Sequence, residues 1–272
     1  MASFGEIIEG EARHALLTDG SGAAFRKAFL DAGVICLRGA PLSPVDFLGI
    51  ARLLGEPQAQ LLRDHRIPEA PEVSILSNAH RDKLGDGKRI VLGRHWHTDD
   101  SYFAVPCSVT LLHANVIAGE GRGDTLFADT RAAWDTLDDA MKERVANLSA
   151  LHKYQSRRNV SPVPTRSAEE EAETPDVVHP IVRTHPETGR KALYLNPNRI
   201  DRITDLPLDA GDMLLDALLD FATRPAFVYR HRWQPGDIVI WDNRCTMHRV
   251  EDDFGDAPRE MMRVLLKRTV PV

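Results

Sequence analysis

Residues 237–250 read DIVIWDNRCTMHRV. Ile238, Val239, Ile240 and Trp241 form a short β-branched and aromatic run. The polar cluster Asp242-Asn243-Arg244 stops it, as when a buried strand enters a turn. That turn carries His248. Working outward, the same texture recurs from residue 88 on: VTLLHANVI, ALYLN, FVYRHRW and MMRVLLKR are short apolar runs separated by Pro, Gly, Asn and Asp. The expected architecture is mainly β with outer helices, its mostly antiparallel strands forming a β-sandwich or jelly roll.

Two helices interrupt the strands. One covers roughly 130–149, where Trp134, Leu137, Met141, Val145 and Leu148 recur at helical steps, and the other roughly 209–223. Two more precede them. Residues 22–32 end at Gly33 before the apolar strand VICLRG, and Ser43-Pro44-Val45-Asp46 opens a helix that Gly55 closes. Ser43 suits the N-cap, Pro44 the first helical position and Asp46 the positive helix end. Residues 155–178 carry charge and proline without apolar periodicity, and read as a solvated surface loop or as a lid over a pocket.

The chain has 272 residues, 43% hydrophobic and 27% charged, which fits a packed core and is read as one domain over 1–272. A net charge of −6 gives no basic footprint for nucleic acid. No apolar run approaches the ~18–20 residues of a membrane span, and the N-terminus lacks a signal-peptide core, so a cytoplasmic address is expected. Cys36, Cys107 and Cys245 are odd in number and far apart, which argues for buried thiols over disulfides or a zinc-thiolate site.

The most chemical stretch is Arg94-His95-Trp96-His97-Thr98-Asp99-Asp100. If extended, it puts residues 95, 97 and 99 on one face, so His97 and Asp99 offer an imidazole nitrogen and a carboxylate oxygen to one point. With His248 they would complete two histidines and a carboxylate on one face of an octahedral ion. Arg259 and Arg263 share a strand face at even spacing, with Met262, Val264 and Leu266 opposite. An inward arginine at a metal pocket needs an anion to offset its desolvation, and a dicarboxylate suits the guanidinium fork. His95 is given a packing role and Asp100 a solvent or hydrogen-bonding one. His152, His179, His185 and His231 are read as structural or surface, and Glu169–Glu171 as a solvated face. The glycines 119, 121 and 123 form a tight turn without a P-loop lysine.

WHTD, GDTLF, WDNRCTMHR and R-x-x-x-R, in this order, resemble the taurine dioxygenase/2,4-dichlorophenoxyacetate dioxygenase (TauD/TfdA) family of Fe(II)/2-oxoglutarate-dependent oxygenases. HPIVRTHPETGRKALYLNP at 179–197 is similar to a strand-turn-strand stretch of that family. The resemblance implies a double-stranded β-helix, a cupin-like jelly roll. It implies His97, Asp99 and His248 as Fe(II) ligands, and Arg259 with the Thr125 hydroxyl on the distal carboxylate of 2-oxoglutarate. It also implies Arg263 and His65 as contacts to a small anionic substrate that is oxidised with O2, releasing succinate and CO2. Members are often dimers or tetramers. Two departures, Pro68 in place of a tyrosine and Gly93 in place of an asparagine, predict that taurine is a poor substrate. Two other readings stand beside this one: a zinc hydrolase, which would need a positioned general base, and a metal-binding jelly roll without turnover.

Overall fold

Alternate residues of the apolar runs bury on opposite faces, and the runs fold as strands. In the computed structural model, all residues are described except 1–3, 20–21, 60, 62–65, 79–90, 92, 161–162, 267–270 and 272. Along the chain come β1 (Glu6–Ile8), α1 (Gly10–Thr18), α2 (Ala23–Ala32), β2 (Val34–Leu37), α3 (Pro44–Leu54), β3 (Pro57–Gln58), β4 (Arg66–Ile67), β5 (Ala70–Ser77), β6 (Val109–Val116) and β7 (Thr125–Asp129). Then follow α4 (Thr130–Thr136), α5 (Asp139–Val145), β8 (Ser149–His152), α6 (Ala168–Ala172), β9 (Val177–Pro180), β10 (Val182–Thr184), β11 (Lys191–Leu193) and β12 (Ile200–Ile203). The last elements are α7 (Leu208–Ala222), β13 (Val228–His231), β14 (Ile238–Asp242), β15 (Thr246–Val250) and β16 (Glu260–Leu266).

A large sheet runs β1-β2-β14-β6-β16-β5-β4, with β3 also on β16. A small antiparallel sheet runs β13-β7-β15. Ile238, Ile240, Ile35, Leu37, Leu111, Met262 and Val264 face α2 and α3, meeting Phe25, Phe29, Phe47 and Leu54. The alternate residues Val239, Trp241, Val34, Cys36, Leu112 and Met261 face the other way and meet Phe127 of the small sheet. That second layer is the jelly-roll interior. By the same alternation Thr110 and Arg263 face it from the large sheet. Phe127 and its cross-strand partner His248 face it from the small one. Beyond the small sheet, Ala128 and Met247 pack on a third layer with Trp134, Leu214 and Leu218.

Caps explain the helix bounds. Ser43 Oγ accepts from Asp46 N–H, and Gly33, at φ 74, ends α2 by donating to Phe29 O. The single helix expected over 130–149 is two. Asp138 caps α5 by accepting from Met141 N–H, so the helical step continues across a break, with Leu137 and Val145 both in one core. The N-terminal β1 and α1 had no counterpart in the sequence reading. His248 lies on β15, beyond the turn that was expected to carry it. Arg259 precedes β16, and the register shifts between Glu260 and Met261, so simple alternation does not link it to Arg263. In the 155–178 segment, α6 opens with a capping box in which Glu170 is buried, which corrects the solvated face expected for that glutamate. The thiols Cys36, Cys107 and Cys245 are buried and free. Among the described residues no helix is long and apolar enough to cross a membrane.

Candidate metal centre

His97 reaches β15 through a two-residue antiparallel bridge. Its N–H donates to His248 O (3.0 Å) and the His248 N–H donates to His97 O (2.8 Å). The two rings therefore stand 4.1 Å apart between centroids. Phe127 stacks at 6.1 Å and Trp241 tilts at 4.6 Å on the His248 ring, which fixes its plane. Gly93, at φ 80, lies behind His97, and a Cβ there would be 3.2 Å from Cε1. The asparagine expected by family resemblance would crowd the ring.

His97 Nδ1 is 2.8 Å from His95 O, an acceptor only, so Nδ1 carries the proton and Nε2 keeps its lone pair. Nε2 of His97 is 3.7 Å from Asp99 Oδ1, and Nε2 of His248 is 3.8 Å from Asp99 Oδ2. These separations are too long for hydrogen bonds. They fall between the roughly 3 Å and roughly 4 Å that donors about 2.1 Å from one ion show at right angles and in line. Burial, then the neighbouring His97, pushes His248 down to about 3. Burial also lowers His97, although Asp99 opposes it. Both imidazoles are therefore neutral donors. Burial alone would raise Asp99. His248, His97, Arg263 and the Thr110 hydrogen bond outweigh it and hold the carboxyl below its ordinary range. His248 Nδ1 is buried without a hydrogen-bond partner among the described residues. Two neutral imidazoles and one carboxylate, pointing at each other without bonding, suit a divalent ion.

Asn243 holds this carboxylate in place. Its Oδ1 accepts from Asp99 N–H (3.2 Å) and Trp241 Nε1–H (3.1 Å). Its Nδ2 donates to Thr110 Oγ1 (2.8 Å), which in turn donates to Asp99 Oδ2 (2.7 Å). Asn243 lies inside the WDNRCTMHR motif, where local pattern alone assigns it no role. Asp100 adopts φ 56 and accepts from Tyr102 Oη (3.1 Å) and Gln58 Nε2 (3.4 Å), in keeping with its hydrogen-bonding role. His95 accepts from Arg94 Nε–H and does not join the donor set.

Arg259 is desolvated, and burial alone pushes it down to about 10, with no carboxylate contributing. Gly123, at φ 67, lets the loop lie on its side chain, where a Cβ would be 3.3 Å from Nε. Thr125, two residues on, is paired with Val250 on β15. Its Oγ1 accepts from Trp233 Nε1–H (3.0 Å), leaving the hydroxyl proton to donate elsewhere. Arg259 and the Thr125 hydroxyl thus both keep donor capacity along the Gly123–Thr125 segment. His65 lies outside the described residues.

Among the described residues two further clusters gather potential ligands, Cys36/His231/Asp237 and His185/Asp242/Cys245. Asp237 is taken by Arg38 (3.0 Å) and His231 (3.1 Å), and Asp242 by Arg244 (2.6 Å) and His185 (2.9 Å). His152, His179, His185 and His231, expected to be structural or at the surface, are all buried.

The chain was compared with known proteins. The model of the taurine catabolism dioxygenase TauD, TfdA family matches residues 4–265. The chain is 35% identical over 240 residues to an alpha-ketoglutarate-dependent 2,4-dichlorophenoxyacetate dioxygenase of Cupriavidus pinatubonensis, covering 85% of this chain and 83% of that one. It is 32% identical over 231 residues to an alpha-ketoglutarate-dependent sulfate ester dioxygenase of Pseudomonas putida, covering 82% and 73%. Among solved structures, AAD-2 in complex with Mn(II) and N-oxalylglycine superposes with a TM-score of 0.79 at 29% identity, covering all of this chain and 96% of that one. The jelly roll, the His/Asp/His set and the whole-length match agree: the chain belongs to the taurine catabolism dioxygenase TauD, TfdA family.

Proposed function

We propose that the chain is an Fe(II)- and 2-oxoglutarate-dependent dioxygenase that hydroxylates a small anionic organic substrate, with release of succinate and CO2. One observation carries the reading: His97, Asp99 and His248 converge with neutral imidazoles and an ionised carboxylate. Arg259, lying against the Gly123 loop that leads into Thr125, has no carboxylate among the described residues to offset its burial. Ferrous ion and 2-oxoglutarate, when bound, supply the oxidising power for O2 chemistry. The chain's own residues position and shield. His97 Nε2, His248 Nε2 and Asp99 hold the metal from one side, leaving the other for co-substrate and O2. Arg259 and the Thr125 hydroxyl take the distal carboxylate of 2-oxoglutarate. Arg263, facing the jelly-roll interior from β16, holds the substrate anion, with His65 as a second contact.

On this reading residues 1–272 act as one domain, 155–178 covers the pocket, and the enzyme works in the cytoplasm as a dimer or tetramer, with neither nucleic acid nor membrane as partner. Support for the covering role comes from Tyr154 Oη, which donates to Pro164 O (3.0 Å), and from Arg166, whose guanidinium lies 4.2 Å over the Tyr154 ring. The test is anaerobic addition of Fe(II) and 2-oxoglutarate. A weak visible band from the chelate, followed by succinate formation in air that rises with an anionic substrate, is expected. A band that survives His248→Ala would overturn the assignment. A band without any succinate would leave a binding protein. Taurine-dependent sulfite release with a low-millimolar KM would refute the expectation drawn from Pro68 and Gly93.

A further inference from the structure

Arg199 lies in the turn before β12, and that turn is fastened to the metal strand. The N–H groups of Arg199 (2.9 Å) and Ile200 (2.8 Å) both return to Asn196 O. The Asn196 side chain then donates to Thr98 O (2.7 Å) and Ser101 Oγ (2.9 Å), on either side of Asp99. The guanidinium carbon stands 5.0 Å from the ring centroid of Tyr102 and 5.0 Å from that of Tyr154, two rings that meet edge to face. One guanidinium N–H donates to Tyr154 O. Among the described residues no carboxylate lies within 4 Å of it, and four of its five N–H donors have no bond to protein. Its charge acts on His97 and Tyr102, two groups on which Arg263 also acts.

A half-buried cation held rigid by two aromatic faces, with no protein anion beside it, is arranged to receive one. Arg263 comes from β16 in the large sheet, whereas Arg199 comes from the turn behind the metal strand. They are separate anchors.

We propose that Arg199 is a second anion anchor of the substrate pocket, and that the substrate carries two anionic groups, one for Arg263 and one for Arg199. This rests on the proposed function. The two groups would be carboxylate, sulfonate or sulfate at the ends of a short skeleton, with the C–H to be oxidised between them. Tyr102 and Tyr154 hold the Arg199 fork in its plane, so that it meets a carboxylate or sulfate through paired hydrogen bonds.

The test uses full-length protein with Fe(II) and saturating 2-oxoglutarate, kept anaerobic. Alkanoates are titrated against α,ω-dicarboxylates of the same length by calorimetry, and succinate formation in air is then followed. Wild type is expected to favour the dianion by about tenfold or more in Kd and in kcat/KM. Arg199→Gln should bring that ratio close to one, through KM more than kcat, while Arg199→Lys recovers part of it. A structural role for Arg199 would lower both series together and leave the ratio in place, which overturns the proposal, as does a wild-type ratio near one. The chelate band, read first in each protein, separates the two readings. If wild type lacks it, the dioxygenase assignment falls and this inference falls with it. If the band is present and the ratio is flat, the two-anion inference alone fails.

Discussion

His97, Asp99 and His248 in the jelly-roll mouth, and His185, Asp242 and Cys245 behind it, each bring their potential ligand atoms within 4.8 Å of one another. In the second cluster Asp242 is saturated. Arg244 donates through Nε (2.7 Å) and Nη2 (2.6 Å), and His185 Nε2 lies at 2.9 Å. Arg244 also reaches Glu187 (2.5 Å), so charge is balanced within the protein. In the first cluster neither imidazole bonds the carboxylate, and the carboxylate's hydrogen bond comes from the neutral Thr110 hydroxyl. Arg244 and Arg259 repeat the contrast. Burial works against both, yet Asp242 and Glu187 raise Arg244 whereas nothing among the described residues offsets burial for Arg259. Similar residue types therefore make a structural brace where partners close the shell, and a candidate binding site where they leave it open.

Removing one histidine from each cluster should separate the two most strongly. His248→Ala should abolish the chelate band and turnover while the fold persists. His185→Ala should keep metal binding yet lose about 1–3 kcal/mol of stability, because it removes one hydrogen-bond partner from buried Asp242 while Arg244 still balances its charge. Thermal melts and Co(II) titration check both, and equal loss of metal in the two variants would dissolve the distinction.

Next in size, Arg259→Ala should raise the KM for 2-oxoglutarate on the order of a hundredfold, from lost charge-assisted hydrogen bonds. A KM within a few-fold of wild type would mean that another group holds the carboxylate.

Smaller still, Asn243→Ala and Thr110→Val should weaken Co(II) or Fe(II) affinity by about 10–100-fold without removing a ligand, since each frees Asp99 to rotate. Unchanged affinity would show that the bridge to His248 alone orients the site.

The mildest effect concerns the third cluster. Hydrogen bonds from His231, Arg38 and Gln234 overcome burial and bring Asp237 down to about 2. A carboxyl whose folded value is depressed stabilises the protein above its unfolded value near 4, and that contribution fades as pH falls toward 2. It amounts to about 2 kcal/mol. Urea melts between pH 5 and 2 should show this loss, and Asp237→Asn should flatten it.

Much of this could be read along the chain. The H-x-D spacing of His97 and Asp99 and the distant His248 named the donor set. Cap chemistry at Ser43 and Gly33 placed two helices. The step of Trp134, Leu137, Met141 and Val145 ran straight through the break at Asp138, because periodicity records which face is buried and not whether the backbone is continuous. Asn243 escaped notice because its partners, Asp99 and Thr110, lie on other elements. Arg259 and Arg263 looked equivalent by parity, and the shift at Glu260/Met261 separates them.

Strand texture, helix ends and the chemical kinds of ligand are written locally in the chain, because they depend on side-chain type and a repeat of two or 3.6 residues. Which carboxylate stays open to a metal, and which arginine stays uncompensated, is set by the folded arrangement. That outcome depends on which hydrogen-bond partners arrive from remote strands, and burial turns each missing partner into a binding force.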